Sequence, residues 1–426
     1  MLLAIKALYE NSRSKLGKVF IDSDTGLLQG LFSSVILFII YLNELVGLYR
    51  TLCQNDGFLQ WLHCILLMDD TAILATNRER AIEKVQIMVD FCRDFGMEMN
   101  FSKTKFMVIN GTEEDRKAIK INGNKLDHCN KYIYLGAIIL EDTSFQNFIN
   151  EHFNDKNKSL LKLHSFVGKN PDLPIKMKFR VLEACLLSSM LYSCESWFSS
   201  QLSKLNTMYL AAIKAVLNVR ESCPTLIILL ETGYPTLKAR VKEKQYRFYK
   251  KMINSRSHLN DDPLMHMLQT ARENNTSSAK YIDSVLENTT SSFITQDLQS
   301  MKEQIMLKEG SKFKMYCVLN PDLNSHPIYH STVREHHRIA FSRFRTSSHR
   351  LKIETGRWSR IKREDRICNC GLGEIQDEVH VIETCRSLRD LRESFKEVIT
   401  FTVKEFQECD YSATAEYLFE ALEILN

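Results

Sequence analysis

The chain has no uninterrupted apolar run of membrane length. Its longest, "VILFIIYL" from Val35 to Leu42, falls far short of the roughly 20 residues that a spanning helix needs. The opening "MLLAIKALYENSRSK" has no basic stretch followed by an apolar core and a small-residue cleavage site, so no secretory leader is expected. There is no internal repeat. Twelve cysteines are scattered without a disulfide framework, which fits reduced thiols in an intracellular protein, nuclear or cytoplasmic, rather than a secreted one. Triplets such as Asn110-Gly111-Thr112 then carry no glycosylation meaning, and no membrane partner is expected.

The chain is also short of net charge. Its 56 Lys and Arg nearly balance 52 Asp and Glu, for a total of +4. That balance conceals an uneven distribution. Arg334 to Arg366 holds eleven basic and four acidic residues, a local +7, which leaves −3 for the rest. Positive charge gathered in one segment is how a footprint for phosphates usually looks. Length allows two to four domains, and an apolar content of 44% is ordinary for a globular protein.

Periodicity divides the chain. The first part mixes helical and strand patterns: a helix over Leu2 to Ser14, another from about Ser33 to Tyr49, and a helix begun by Asn77 and stopped by Gly96. "KFMVING" and "IKINGNKL" read as strands ending in Asn-Gly turns, and "YIYLGAIIL" as a buried strand. From about Asn147 to Ser255 the pattern is helical, with a long helix expected from Ile175 to Phe198 and others over Leu202–Leu217, "CPTLIILLETG" and Lys238–Asn254. Residues 256–300, rich in Ser, Thr and Asn, read as a loose connector. The expected fold class is α+β.

One stretch stands out. "HCILLMDDTAILA", His63 to Ala75, sets two adjacent acids between short apolar runs. The pattern predicts a buried β-hairpin with Asp69 and Asp70 at its tip. Paired carboxylates on a rigid turn can hold divalent ions against a triphosphate, although Asp is also simply a good turn former.

The neighbours of this pair give it a context. "TGLLQGLFSSVILFIIYLNEL" (Thr25 to Leu45), "LLMDDTAILA" (Leu66 to Ala75), "MNFSKTKFMVI" (Met99 to Ile109) and "YLGAII" (Tyr134 to Ile139) resemble, in order and spacing, the palm of reverse transcriptases. The nearest likeness is to the enzymes of non-LTR (LINE-type) retrotransposons. The resemblance implies that Asp69 binds a catalytic Mg²⁺ or Mn²⁺, with Asp70 supporting it. Gln29 and Gly30 would lie near the incoming nucleotide and template, and Lys103 or Lys105 near the triphosphate, unless these lysines are ordinary strand-end residues. Tyr134, Leu135 and Gly136 would support the primer end, or form a purely structural hairpin. An RNA template, a DNA primer and deoxynucleoside triphosphates are the implied partners.

The chain also departs from the family pattern. The aromatic-Ala pair before the two acids is Leu67-Met68, the arginine of Arg-Gln-Gly is Leu28, and Val35 replaces a proline. A two-metal site needs a further carboxylate from another strand. In the family it belongs to a Phe-x-x-Ala-Phe-Asp motif that would precede residue 1, and Asp22 and Asp24 do not take its place. The expectation is therefore an N-terminally truncated polymerase, inactive alone.

"LLSSMLYSCESW" (Leu186 to Trp197) resembles the helix that follows the palm in the same elements, with Trp197 a core residue. "RFRTSSHRLKIETGRWSRIKREDRICNCGLGEIQDEVHVIETC" (Arg343 to Cys385) resembles their C-terminal segment. Cys368, Cys370, His380 and Cys385, spaced C-x-C-x9-H-x4-C, offer a tetrahedral Zn²⁺ set; reduced cysteines beside a histidine are the alternative. Arg343, Arg345, Arg350, Lys352, Arg357, Arg360, Lys362 and Arg363 interleave with Phe341, Phe344 and Trp358 as a candidate nucleic-acid surface, or else form a solvated charged face. His336-His337 has no identifiable metal partners.

The expected layout is a partial palm (an antiparallel sheet with helices) over 1–146, an all-α thumb or connection over 147–255, and a connector over 256–324. A basic module with a Cys/His knuckle over 325–426 completes it. A nucleic-acid-binding remnant without catalysis is the competing reading.

Overall fold

The computed structural model describes residues 13–16, 18–22, 32–52, 62–197, 202–256, 262–287 and 291–425. The expected Leu2–Ser14 helix lies almost wholly outside them. The fold is mixed α and β, mostly helical with small sheets. The chain forms two compact units, Met1–Thr143 with Leu259–Thr270, and Ser144–His258 with Ala271–Asn426.

In the first unit, strands β1 (Arg13–Leu16) and β2 (Val19–Asp22) pair antiparallel. After the Phe32–Leu52 helix come β3 (Cys64–Leu67) and β4 (Asp70–Ile73), also antiparallel, with Leu67 opposite Asp70. The Arg78–Asp94 helix follows, and the Asn77 side chain caps it by accepting from the Arg80 amide. This helix has two apolar sides. Ile87, Met88 and Phe91 pack with Leu42, Leu45 and Tyr49 of the Phe32–Leu52 helix, while Ile82, Val85 and Val89 pack on the next sheet.

That sheet joins β5 (Lys105–Phe106), β7 (Asn124–His128) and β6 (Ile119–Ile121) in the order β5-β7-β6. Asn122 and Gly123, both at positive φ, turn β6 into β7 as an Asn-Gly pair should. The expected buried strand "YIYLGAIIL" is instead a hairpin, β8 (Lys131–Tyr134) with β9 (Ala137–Leu140). Leu135 (φ 48°) and Gly136 (φ 81°) make its turn, and Ile133 is 59% exposed. A continuous apolar run cannot by itself distinguish one buried strand from two half-exposed ones.

The Phe32–Leu52 helix outruns its eight-residue apolar centre. By length and composition, Ser33–Leu52 is apolar enough to cross a membrane. In this unit its Leu45 and Tyr49 are fully buried, while Ile36, Ile39 and Ile40 are exposed.

The second unit is helical. Ser144 caps the Phe145–Lys169 helix. The expected Ile175–Phe198 helix runs only to Met190, through a π-helical turn at Leu182–Leu187. Ser193 then adopts φ 58°. Partners remote in sequence stabilise this break: Gln245 donates to the carbonyls of Cys194 and Trp197, and the Tyr249 hydroxyl to that of Glu195. Trp197 is buried against His152 and Phe148.

The 256–300 stretch, expected to be loose, carries the helices Pro263–Glu273, Ser277–Leu286 and Phe293–Met306. Its Thr and Ser residues act as helix caps, Thr276 accepting from the Ala279 amide and Ser292 from the Ile294 amide. Ala279, Val285, Met301 and Ile305 are buried.

Charged residues lie inside this unit. Glu231, fully buried, accepts from Arg345 (2.7 and 3.1 Å), Tyr316 (2.9 Å) and Tyr329 (3.0 Å). Glu335 is held by Lys178 at 2.7 Å and Arg338 at 2.5 Å. Beside the first group, His326 accepts the Ile328 amide through Nδ1, so the ring is neutral. Burial and the positive charge of Arg345 hold its pKa down at about 4. Between pH 6.5 and 4 only the unfolded chain therefore takes up this proton, and stability is lost as pH falls through that window. His326→Gln is expected to flatten the decline in urea-unfolding free energy between pH 7 and 4 by on the order of 2 kcal/mol. An unchanged slope would contradict this.

Candidate functional sites

Asp69 lies in the two-residue turn between β3 and β4, and Asp70 begins β4; both are exposed. Met68 occupies the turn at φ 55°, a conformation that favours glycine and strains an L side chain. The hairpin is buried on one face only: Cys64 and Leu66 pack toward the core, whereas Ile65 and Leu67 are 42% and 51% exposed. The expected two-sided burial is thus corrected, because no layer covers the second face among the described residues.

Of the residues expected near the acids, Tyr134 is brought to them. Its hydroxyl donates to the Ile65 carbonyl at 3.4 Å. Burial, and then the negative charge of Asp70, raise its pKa. Leu135 and Gly136 form the turn that directs Tyr134. Lys105 lies 3.4 Å from Asp127, and Lys103 is exposed on the turn before β5. Gln29 and Gly30 lie outside the described residues.

The Cys/His group assembles in the second unit. Cys368, Cys370, His380 and Cys385 place one donor atom each within 4.8 Å of one another. Cys370 Sγ is 3.4 Å from His380 Nε2, and Cys368 Sγ is 3.8 Å from Cys385 Sγ. The loop closes through Gly371 and Gly373, both at positive φ. The Cys368 amide donates to the Glu374 carbonyl. Asp377 caps the Glu378–Glu383 helix that carries His380.

Sequence reading missed the residues that orient the histidine. His380 Nδ1 lies 2.7 Å from Glu374 Oε2 and 2.9 Å from Thr384 Oγ1, leaving Nε2 turned to the thiols. An acid four residues after the second cysteine was the available signal. Burial opposes ionisation of Cys370, but the Leu372 and Arg386 amides, Cys368 and His380 bring its pKa to about 7. Cys385 is pushed up to about 12 by burial and by Cys368. Three sulfurs and an imidazole, drawn together with one thiol eased toward thiolate, fit a tetrahedral zinc ion. His336 and His337 instead pack against Phe419.

The eight basic residues expected to act together are divided. Arg345 is a correction: it is buried on Glu231 and presents no free charge. Phe341 and Phe344 are buried too. Lys352 Nζ is held by the Ile367 carbonyl and Asn369 Oδ1, which ties its helix to the Cys/His loop. Arg357 pairs with Glu354, and Arg363 lies 3.5 Å from Asp377. Arg350, Arg360 and Lys362 are exposed. Arg343 is bound to Asn218 and half-buried.

The first unit, mixed α and β, thus presents two adjacent exposed carboxylates, Asp69 and Asp70, at a hairpin tip. Residues 3–139 match the family described as reverse transcriptase (RNA-dependent DNA polymerase), and that segment is a reverse transcriptase domain. The family uses Mg²⁺ or Mn²⁺ with a nucleic-acid template, primer and nucleotides. No curated protein matches the chain.

Proposed function

We propose that this domain is the palm of a non-LTR (LINE-type) retrotransposon reverse transcriptase, working inside the cell on an RNA template and a DNA primer. The observation that carries the reading is the Asp69–Asp70 hairpin tip with Tyr134 docked on its first strand. Asp69 would hold Mg²⁺ or Mn²⁺ with Asp70 beside it. The metal would activate the primer hydroxyl and neutralise the triphosphate. Tyr134, Leu135 and Gly136 would steady the primer end, and Lys103 would attract the triphosphate. Lys105 would contribute once released from Asp127. Gln29 and Gly30 would face the incoming nucleotide.

Among the described residues, no third acid groups with Asp69 and Asp70 to form a metal cluster. This favours a second reading, in which the chain alone binds nucleic acid without extending it, through a basic C-terminal segment stabilised by Zn²⁺ at Cys368, Cys370, His380 and Cys385. Primer extension on an RNA template with Mg²⁺ or Mn²⁺ separates the two. The expected result for this chain is no incorporation together with salt-sensitive RNA binding. Incorporation lost by a factor of about 1,000 or more in Asp69→Ala would instead establish catalysis; such a factor corresponds to roughly 4 kcal/mol of barrier. Incorporation that survives Asp69→Ala overturns the assignment of the acids.

A further inference from the structure

Folding brings together a cationic surface that no single stretch of sequence displays. Arg220, more than 100 residues before the basic run, lies with its guanidinium carbon 3.8 Å from the centre of the Trp358 ring. Its amide donates to Ser348 Oγ at 2.7 Å, which anchors the segment. Arg343 is aimed by two hydrogen bonds to Asn218, the left-handed residue that ends the Ser203–Leu217 helix. Those bonds occupy two of its five N–H donors and none of its charge.

Arg350 completes the group as the one exposed residue of the otherwise buried turn 346–351 that follows the Glu335–Arg345 helix. Burial and then the charge of Arg350 lower the pKa of both Arg220 and Arg343, so the three guanidiniums repel one another. None of them pairs with a carboxylate among the described residues. The acid that faces Arg220, Glu354, is buried and already held by Lys312 at 2.6 Å and Arg357 at 2.8 Å.

Like charges held together without counterions cost stability, and an arriving polyanion relieves that cost. Trp358 identifies the kind of polyanion. One face of its indole carries Arg220, yet 53% of the side chain is exposed. An exposed aromatic plane beside fixed guanidiniums suits an unpaired base whose flanking phosphates meet the cations. A duplex keeps its base faces stacked inside and offers Trp358 nothing, and an acidic peptide has no flat face to stack.

We propose that Arg220, Arg343, Arg350 and Trp358 form a binding surface for single-stranded nucleic acid, with a base stacked on Trp358 and its neighbouring phosphates on the arginines. The inference rests on the nucleic-acid-binding reading of the C-terminal segment and moves its centre. Arg345 and Lys352 drop out, and Arg220, outside that segment, enters.

The test uses the full chain and fluorescein-labelled 12-nucleotide oligo-U and oligo-dT, followed by anisotropy over a salt series. Trp358→Ala is expected to weaken binding about 5- to 100-fold, and Trp358→Phe to restore most of it. Arg350→Gln should weaken binding and reduce the salt slope by about 0.7, while the double variant Lys280→Gln/Lys404→Gln, at exposed lysines outside the basic run, changes affinity less than twofold. Tighter binding of oligo-U than of oligo-dT, or the reverse, supports the surface and names its strand.

Wild-type binding unchanged by Trp358→Ala and Arg350→Gln overturns this surface but leaves the nucleic-acid reading intact. Equal affinity for a duplex, or for a poly-glutamate of the same charge, overturns the stacking assignment. No binding of any oligonucleotide by the wild-type chain overturns both readings. The thermal midpoint of each variant, expected to match wild type, separates lost contacts from lost folding.

Discussion

Arg345→Met lowers the unfolding free energy of the second unit by roughly 3–5 kcal/mol, read from urea denaturation followed by circular dichroism. That is the usual cost of leaving one partner of a buried ion pair unmatched. Burial alone would raise the pKa of Glu231, but the charge and hydrogen bonds of Arg345 outweigh it and hold the carboxyl below its ordinary range. Without the guanidinium, the carboxylate keeps only the Tyr316 and Tyr329 hydroxyls. It must then take up a proton or remain charged in a dry core, and either course costs stability.

A double variant tests this cause. Glu231→Gln with Arg345→Met removes both charges and should recover part of the loss, because two neutral groups avoid the uncompensated charge. A single-variant loss below about 1 kcal/mol would mean that water reaches the pair, and would refute the burial argument. The same variant also tests the assignment of Arg345. If the single variant binds oligonucleotides as wild type does once folded, the residue serves the core and not the nucleic acid.

Removing metal from the Cys/His group should have the other large effect. Protein purified under reducing conditions is expected to carry about one zinc per chain. Chelation or Cys385→Ser should then melt the loop and helix from Cys368 to Cys385. Structural zinc contributes on the order of 10 kcal/mol to small zinc-folded sites, in addition to what Val381, Ile382 and Leu388 contribute by joining the core of the second unit. Hydrogen exchange reports this directly: protection of the Cys368 and Cys385 amides, bonded to the Glu374 and His380 carbonyls, should disappear on chelation. Glu374→Ala should weaken zinc binding about 10- to 100-fold by freeing the His380 ring. Metal-free protein with unchanged exchange would show that the thiols pack without an ion.

The two sites were legible to different degrees. Asp69 and Asp70 stood out because carboxylates interrupting an apolar run are costly unless a turn exposes them, and the hairpin register with Leu67 opposite Asp70 is what that pattern implies. The Cys/His group was legible because three cysteines and a histidine fall close together in sequence, although one residue between Cys368 and Cys370 is fewer than zinc sites usually have. The nearby helix could be placed at Arg78–Asp94 from its Asn cap and apolar spacing.

Other features depend on residues far apart in sequence. The break after Met190 holds because Gln245 and Tyr249 reach back to free carbonyls. Nothing in the local composition of "MLYSCESW" (Met190 to Trp197) encodes those partners, and the helical period runs straight through it. The 256–300 stretch looked loose because Ser and Thr are ambiguous: the same residues form loops or cap helices, and buried neighbours decide which.

Sequence by itself determined the paired acids, the zinc-type ligand spacing and the succession from a mixed α and β segment to a helical one. Each follows from interactions with near neighbours in the chain. Only the tertiary structure decided which arginines are free. Arg345 and Arg350 are five residues apart and read alike as letters. One is buried on Glu231 and the other stands in solvent near Arg220. Whether a charge is neutralised or available depends on what lies across the fold from it, because electrostatic energy depends on spatial distance and burial rather than on sequence separation.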